Sequence, residues 1–143
     1  MKSVLKYFLV LLGIGGFLIA CQPHYSKSKA DNTMNLSGLG FDSSKIEVIY
    51  FHNKQRCANC VAVEQESTDI ITAMDSSMIS FYTYAIGEKE NQKLEDTLKI
   101  AGPTLLLFKE DKSINLTTSA YLFARIKPEK FREDLKSAIH DLE

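Results

Sequence analysis

The chain is poor in the residues that build metal sites. It has three histidines and three cysteines in 143 residues. His24, His52 and His140 are scattered, and there is neither a second Cys-x-x-Cys nor a spaced histidine pair. His52 could add one ligand to a zinc site built on Cys57 and Cys60, but the remaining ligands are missing. No metal and no other cofactor is expected. No basic block and no interleaving of aromatic with basic residues is present, which excludes a nucleic-acid partner. The longest apolar run, Tyr7 to Ala20, covers 14 residues, short of the ~20 needed to cross hydrocarbon. Preceded by Lys2 and Lys6, it reads as an export signal rather than a transmembrane helix. No internal repeat divides the chain.

The residues at the end of this signal are informative. Leu18-Ile19-Ala20-Cys21 stands where the apolar core ends and resembles the bacterial lipobox. That resemblance implies cleavage before Cys21 and lipidation of Cys21 as the mature N-terminus; the plainer alternative is an ordinary signal peptide with an incidental cysteine. Several acyl chains would anchor the protein firmly, each buried CH₂ contributing about 0.8 kcal/mol. Residues 1–20 are thus the expected signal. Residues 21–44, rich in Ser, Lys, Asn, Asp and Gly, form a flexible tether. Residues 45–143 form one compact domain. Without Lys2 and Lys6, 15 basic and 18 acidic residues leave a net charge of −3. No acidic cluster adjoins Cys21, so the expected location is the bacterial cell envelope, lipid-anchored and facing the periplasm.

Ile46-Glu47-Val48-Ile49-Tyr50-Phe51 is β-branched and aromatic with little alternation, as in a strand buried on both faces. From Cys57 to Met74 helical spacing places Cys60, Val63, Ser67, Ile70, Ile71 and Met74 on one side, with Asp75-Ser76-Ser77 ending the helix. Met78 to Ile86 reads as a strand that Gly87 breaks. Asn91 to Ile100 reads as a helix with Leu94 and Leu98 inward. Gly102-Pro103 precedes a third strand, Thr104 to Phe108; Glu110-Asp111-Lys112 turns into a fourth, Ser113 to Thr117. A short helical piece through Arg125 and a last helix opening at Pro128 complete the chain, with Phe131, Leu135, Ile139 and Leu142 on one face. Tyr50, Phe51, Phe81 and Tyr84 are core or flanking bulk. The order β-α-β-α-β-β-α implies an α/β fold: a central mixed β-sheet flanked by helices and ending in an antiparallel hairpin.

The chemistry lies in Cys57-Ala58-Asn59-Cys60. Following a strand and opening a helix, the first sulfur sits where N–H groups and the helix dipole favour a thiolate. The second lies one turn on, within reach of a disulfide. With Cys21 lipidated, Cys57 and Cys60 are an isolated pair in an oxidising compartment.

On these residues the chain resembles the thioredoxin-fold thiol-disulfide oxidoreductases over nearly all of 45–143. The resemblance rests on the strand entering the cysteine pair, on Gly102-Pro103-Thr104 opening a strand, and on the helical C-terminal end. It implies a thioredoxin-like fold with a cis proline at Pro103 facing the cysteines. It also implies a substrate-contacting backbone at Gly102 and protein thiols or disulfides as substrates. A strand-opening proline of no special role is the plainer reading of Pro103. Thioredoxins proper carry Trp before the first cysteine and Gly-Pro between the two, where Arg56 and Ala58-Asn59 stand here. Phe51 occupies the place of their proton-accepting buried Asp. The run Tyr50-Phe51-His52 through Cys60 and Glu64 is similar to small exported thioredoxin-like proteins of bacteria, some of them linked to reduction of nitrophenyl or organoarsenical compounds.

Each residue then has an expected role. Cys57 is the nucleophile, its pKa lowered by the helix and by Arg56, which also adjoins the substrate; Cys60 is the resolving thiol, protonated until a mixed disulfide forms. His52 either senses the thiolate or caps the strand end through backbone. Arg56 is otherwise a solvated charge. Glu64 and Glu66 are the wet side of a helix unless one replaces the missing Asp. With no histidine between the cysteines the pair is no strong oxidant. A reductant of this kind needs a membrane electron donor or partner reductase. The competing reading is a non-catalytic thioredoxin-fold interaction module of an envelope complex, its cysteines a structural disulfide.

Overall fold

The computed structural model describes residues 37–74 and 77–143. The expected signal, Cys21, His24, most of the tether, and Asp75-Ser76 lie outside the described residues. Four strands form one mixed sheet in the order β2-β1-β3-β4. Strand β1, Ile46–His52, runs parallel to β2, Ile79–Ala85. On its other side β1 pairs antiparallel with β3, Thr104–Lys109, which pairs antiparallel with β4, Lys112–Asn115. Helices α1 (Ala58–Ala73), α2 (Gln92–Leu98), α3 (Thr117–Phe123) and α4 (Pro128–His140) flank the sheet. Each element falls within a few residues of its expected place.

Alternation along the central strands divides the core in two, because successive side chains point to opposite faces. Ile46, Val48 and Tyr50 of β1, with Leu105 and Leu107 of β3, join Val63, Ile70 and Ile71 of α1 and Phe131, Leu135 and Ile139 of α4. On the other face Ile49, Phe51, Leu106 and Phe108 join Leu94 and Leu98 of α2. Every residue of β1 except His52 is buried, as the lack of alternation requires of a central strand. Gly87, at φ +79, makes the turn that ends β2, a conformation costly for any residue with a Cβ, and its N–H donates to Glu95 Oε1 at 2.9 Å.

Ordered packing begins ahead of Ile46. Ser37–Leu39 forms a 3-10 turn. Leu39 and Phe41 pack on the α2 side of the sheet, Phe41 edge-on to Tyr82 with ring centres 5.4 Å apart. The same segment is tied by a polar contact: the Asp42 N–H donates to Glu47 Oε1 at 3.0 Å. Glu47 is only 2% exposed, and its Oε2 has no hydrogen-bond partner. Burial pushes its carboxyl above the ordinary carboxylate range, an effect the Asp42 N–H and the nearby Ser80 hydroxyl only partly offset.

Folding therefore favours protonated Glu47. Its stabilising contribution is fully present below the unfolded carboxyl value of about 4.3 and is lost as pH rises through the raised folded value. Glu47→Gln keeps the acceptor for Asp42 and carries an amide that can donate toward Ser80. It is expected to be more stable than the parent at pH 7 by about 1 kcal/mol, the gain shrinking toward pH 4. Urea unfolding at both pH values checks this, and a variant weaker than the parent at pH 7 contradicts it.

Candidate functional site

Strand β1 delivers the chain to the site. After His52 an exposed loop, Asn53 to Arg56, leads to Cys57, which is the N-cap of α1 with extended backbone, φ −83° and ψ 165°. Its Sγ accepts the Cys60 N–H at 3.2 Å, so the sulfur satisfies one of the donors a helix start leaves free. Cys57 is exposed and Cys60 buried. Both are free, with the two sulfurs 2.7 Å apart. One proton can be shared between them, and a small movement closes them to a bond of about 2.05 Å.

The surroundings of Cys60 differ from the sequence expectation. The Tyr121 hydroxyl of α3 lies 3.7 Å from Cys60 Sγ, and the Tyr50 hydroxyl of β1 lies 3.1 Å from that of Tyr121. Burial opposes ionisation of Cys60. Hydrogen bonds from the Cys57 side chain and backbone, and from the Tyr121 and Tyr50 hydroxyls, outweigh it and bring the thiol below its ordinary range. Both tyrosines move the other way. Burial and the Tyr121 contact hold the Tyr50 hydroxyl far above the usual phenol value. Burial chiefly, with Cys60 beside it, pushes Tyr121 up to about 12. Both hydroxyls are therefore neutral donors at physiological pH. The Asn59 side-chain amide donates to the Tyr121 carbonyl at 3.4 Å, fastening α3 to the first turn of α1.

The other expected site residues lie further from the sulfurs. Arg56 forms an ion pair with Glu64 on the outer side of α1, so part of its charge is spent on a carboxylate. The pair borders a shallow groove with Val61, Gln65, Thr68 and Asp69. Glu66 binds Arg132 of α4 at 2.5 Å. Both glutamates are thus in ion pairs, while hydroxyls occupy the position beside Cys60. His52 places Nδ1 2.9 Å from the Asn53 carbonyl, the strand-end reading of the two. His140 pairs with Glu143 at 3.2 Å.

Pro103 stands at the start of β3. The register pairs Phe51 with Thr104, which brings Gly102 and Pro103 to the sheet end from which the Cys57 loop departs. No peptide bond among the described residues is cis, so the Gly102–Pro103 bond is trans and the cis geometry implied by the resemblance is corrected. The Thr104 hydroxyl donates to the Gly102 carbonyl at 2.7 Å, bracing a strand-opening turn that works with the trans form, itself favoured by about 0.5–1 kcal/mol. Among the described residues no group of three or more His, Cys, Asp or Glu side chains is placed to hold a metal ion.

A parallel β1-α1-β2 unit joined to an antiparallel β3-β4 hairpin, with a cysteine pair at the start of the helix after the central strand, identifies the architecture. The fold is thioredoxin-like. Solved structures similar to this chain include chloroplastic thioredoxin z, at 20% identity and a TM-score of 0.41 over 50% of this chain; the match spans 64% of that protein. Mitochondrial thioredoxin 3 of Saccharomyces cerevisiae is similar at 19% identity and a TM-score of 0.49, covering 76% of this chain and 92% of that one. The Deadhead thioredoxin of Drosophila melanogaster is similar at 16% identity and a TM-score of 0.49, covering 70% and 83%. No protein-family model matches the thioredoxin-like chain, and no curated protein matches it by sequence.

Tyr121 is the site residue that sequence reasoning misses, and Tyr50 is more than the core bulk its strand suggests. The available signal is Tyr50 itself: a tyrosine in a fully buried strand requires a partner for its hydroxyl.

Proposed function

We propose that this chain is a thiol-disulfide oxidoreductase of the bacterial cell envelope. It would be lipid-anchored through Cys21, face the periplasm, and act on disulfides of exported proteins or of a partner reductase. The observation that carries the reading is the exposed N-cap sulfur of Cys57, 2.7 Å from the buried sulfur of Cys60. An idle structural bridge has no need of a reachable leading sulfur.

In this reading Cys57 attacks as a thiolate at one sulfur of a substrate disulfide. The substrate S–S bond breaks and its second sulfur leaves with the electron pair. Cys60 then attacks Cys57 Sγ, forming the Cys57–Cys60 bond and releasing the reduced substrate. Arg56 beside Cys57, and the backbone at Gly102 and Pro103, form the proposed substrate-contact surface. A membrane electron donor or partner reductase restores the dithiol. The sequence likeness to exported proteins linked to nitrophenyl or organoarsenical reduction bears on the substrate in the same way.

The test is a redox titration of the Cys57–Cys60 pair combined with insulin reduction by the reduced protein. Turnover of insulin and a potential above roughly −300 mV are expected. A more negative, glutathione-resistant potential without insulin reduction indicates a structural bridge and the interaction-module reading.

A further inference from the structure

We propose that the hydroxyl chain Tyr50–Tyr121 is the catalytic device of the resolving step, holding the charge of Cys60 Sγ as that sulfur attacks a mixed disulfide on Cys57. The proposal rests on the thiol-disulfide reading above and assigns to two neutral hydroxyls the place that a buried carboxylate takes in thioredoxins.

The two hydroxyls lead from β1 through α3 to the sulfur. Tyr50 can donate to the Tyr121 oxygen at 3.1 Å, and Tyr121 can donate to Cys60 Sγ at 3.7 Å. Donors arranged in series polarise one another. In the reduced protein the two sulfurs, 2.7 Å apart, share a proton. That sharing ends once Cys57 is bonded to a substrate sulfur, and the charge that develops on Cys60 then has no help from Cys57. The tyrosine hydroxyls keep their protons, so they matter most in the resolving step.

Few other groups compete for this role. Cys60 is met by Cys57 from its own helix, by Tyr50 from β1 and by Tyr121 from α3. The His52 ring lies beside Tyr50 at 5.9 Å and is hydrogen-bonded to the Asn53 carbonyl. Glu64 and Glu66 are paired with Arg56 and Arg132.

The step balances simply. The Cys60 thiol gives its proton to water, and its sulfur electron pair forms the bond to Cys57 Sγ. The bond from Cys57 to the substrate sulfur breaks, and that sulfur leaves with the pair and takes a proton from water. The dithiol is oxidised by two electrons and the substrate disulfide reduced by two. The tyrosines donate hydrogen bonds throughout and are unchanged.

Glutathione disulfide is the probe, mixed in stopped flow with the reduced full chain and its variants. Tyr121→Phe removes one oxygen and is expected to form the glutathione adduct at the parent rate. It should release the second glutathione about tenfold more slowly, the loss of a hydrogen bond to a charged sulfur. The deficit should fade as pH rises and Cys60 ionises unaided. Tyr50→Phe, which removes the weaker of the two hydroxyl contributions to Cys60, should slow release about threefold and decides the matter if Tyr121→Phe does not fold. In a Cys57→Ala background, Tyr121→Phe should weaken the acid constant of Cys60 about tenfold, read by thiolate ultraviolet absorbance. Parent-like release or an unmoved Cys60 titration overturns the proposal and leaves the oxidoreductase reading intact. A parent protein that forms no adduct overturns that reading and the proposal together.

Discussion

Replacing Cys57 with alanine is expected to abolish insulin reduction, whereas Cys60→Ala should leave the first half of the reaction running and accumulate mixed disulfides. The asymmetry comes from exposure. Cys57 stands at the rim of α1 with its sulfur on the first-turn N–H of Cys60 and open to solvent, while Cys60 is 1% exposed. A protein disulfide in solution can meet the first sulfur and not the second. Non-reducing gels after incubation with oxidised insulin should show an adduct for Cys60→Ala and none for Cys57→Ala. Insulin reduction surviving in Cys57→Ala would mean that Cys60 is reachable, and the assignment of roles would reverse.

The largest expected effect on stability is at Phe131. Its side chain is fully buried on α4, in the cluster shared with Tyr50, Val63 and Leu105. Phe131→Ala removes the ring and leaves a cavity between α4, α1 and the sheet, at a cost of about 3–5 kcal/mol. Against total stabilities of about 5–15 kcal/mol for domains of this kind, that is a large fraction, and the melting temperature should fall by on the order of 20 °C. Thermal unfolding followed by circular dichroism checks it. Leu122→Ala serves as the control, because Leu122 is 54% exposed and should change stability by less than about 0.5 kcal/mol. Equal losses for the two variants would mean that the packing between α4 and the sheet is not what holds the fold.

The elements are legible in the sequence because their signals are local. A β-branched and aromatic run marks β1 and a strongly apolar run marks β3, and helical spacing of Cys60, Val63, Ser67, Ile70 and Ile71 marks the face that α1 buries. Cys57 and Cys60 lie three apart on one element, so their approach can be read as well. The rest of the site depends on groups far apart in the chain. Tyr121 reaches Cys60 across 61 positions and Tyr50 across 71, distances over which no periodicity carries information. Arg56 is legible as a charge beside the cysteine but not as the partner of Glu64, since that choice depends on the turn the loop takes into α1. The cis peptide before Pro103 is implied by resemblance alone, and the turn braced by Thr104 overrides that inference.

The contact between Asp42 and Glu47 also marks the end of the sheet remote from the chemistry. The chain comes into the fold at the beginning of β1, and Cys57 lies beyond its end, some seven residues or about 20 Å further along a strand. The buried Glu47 carboxyl and the reactive sulfur therefore stand toward opposite ends of the central strand, so a change at one leaves the other's surroundings intact.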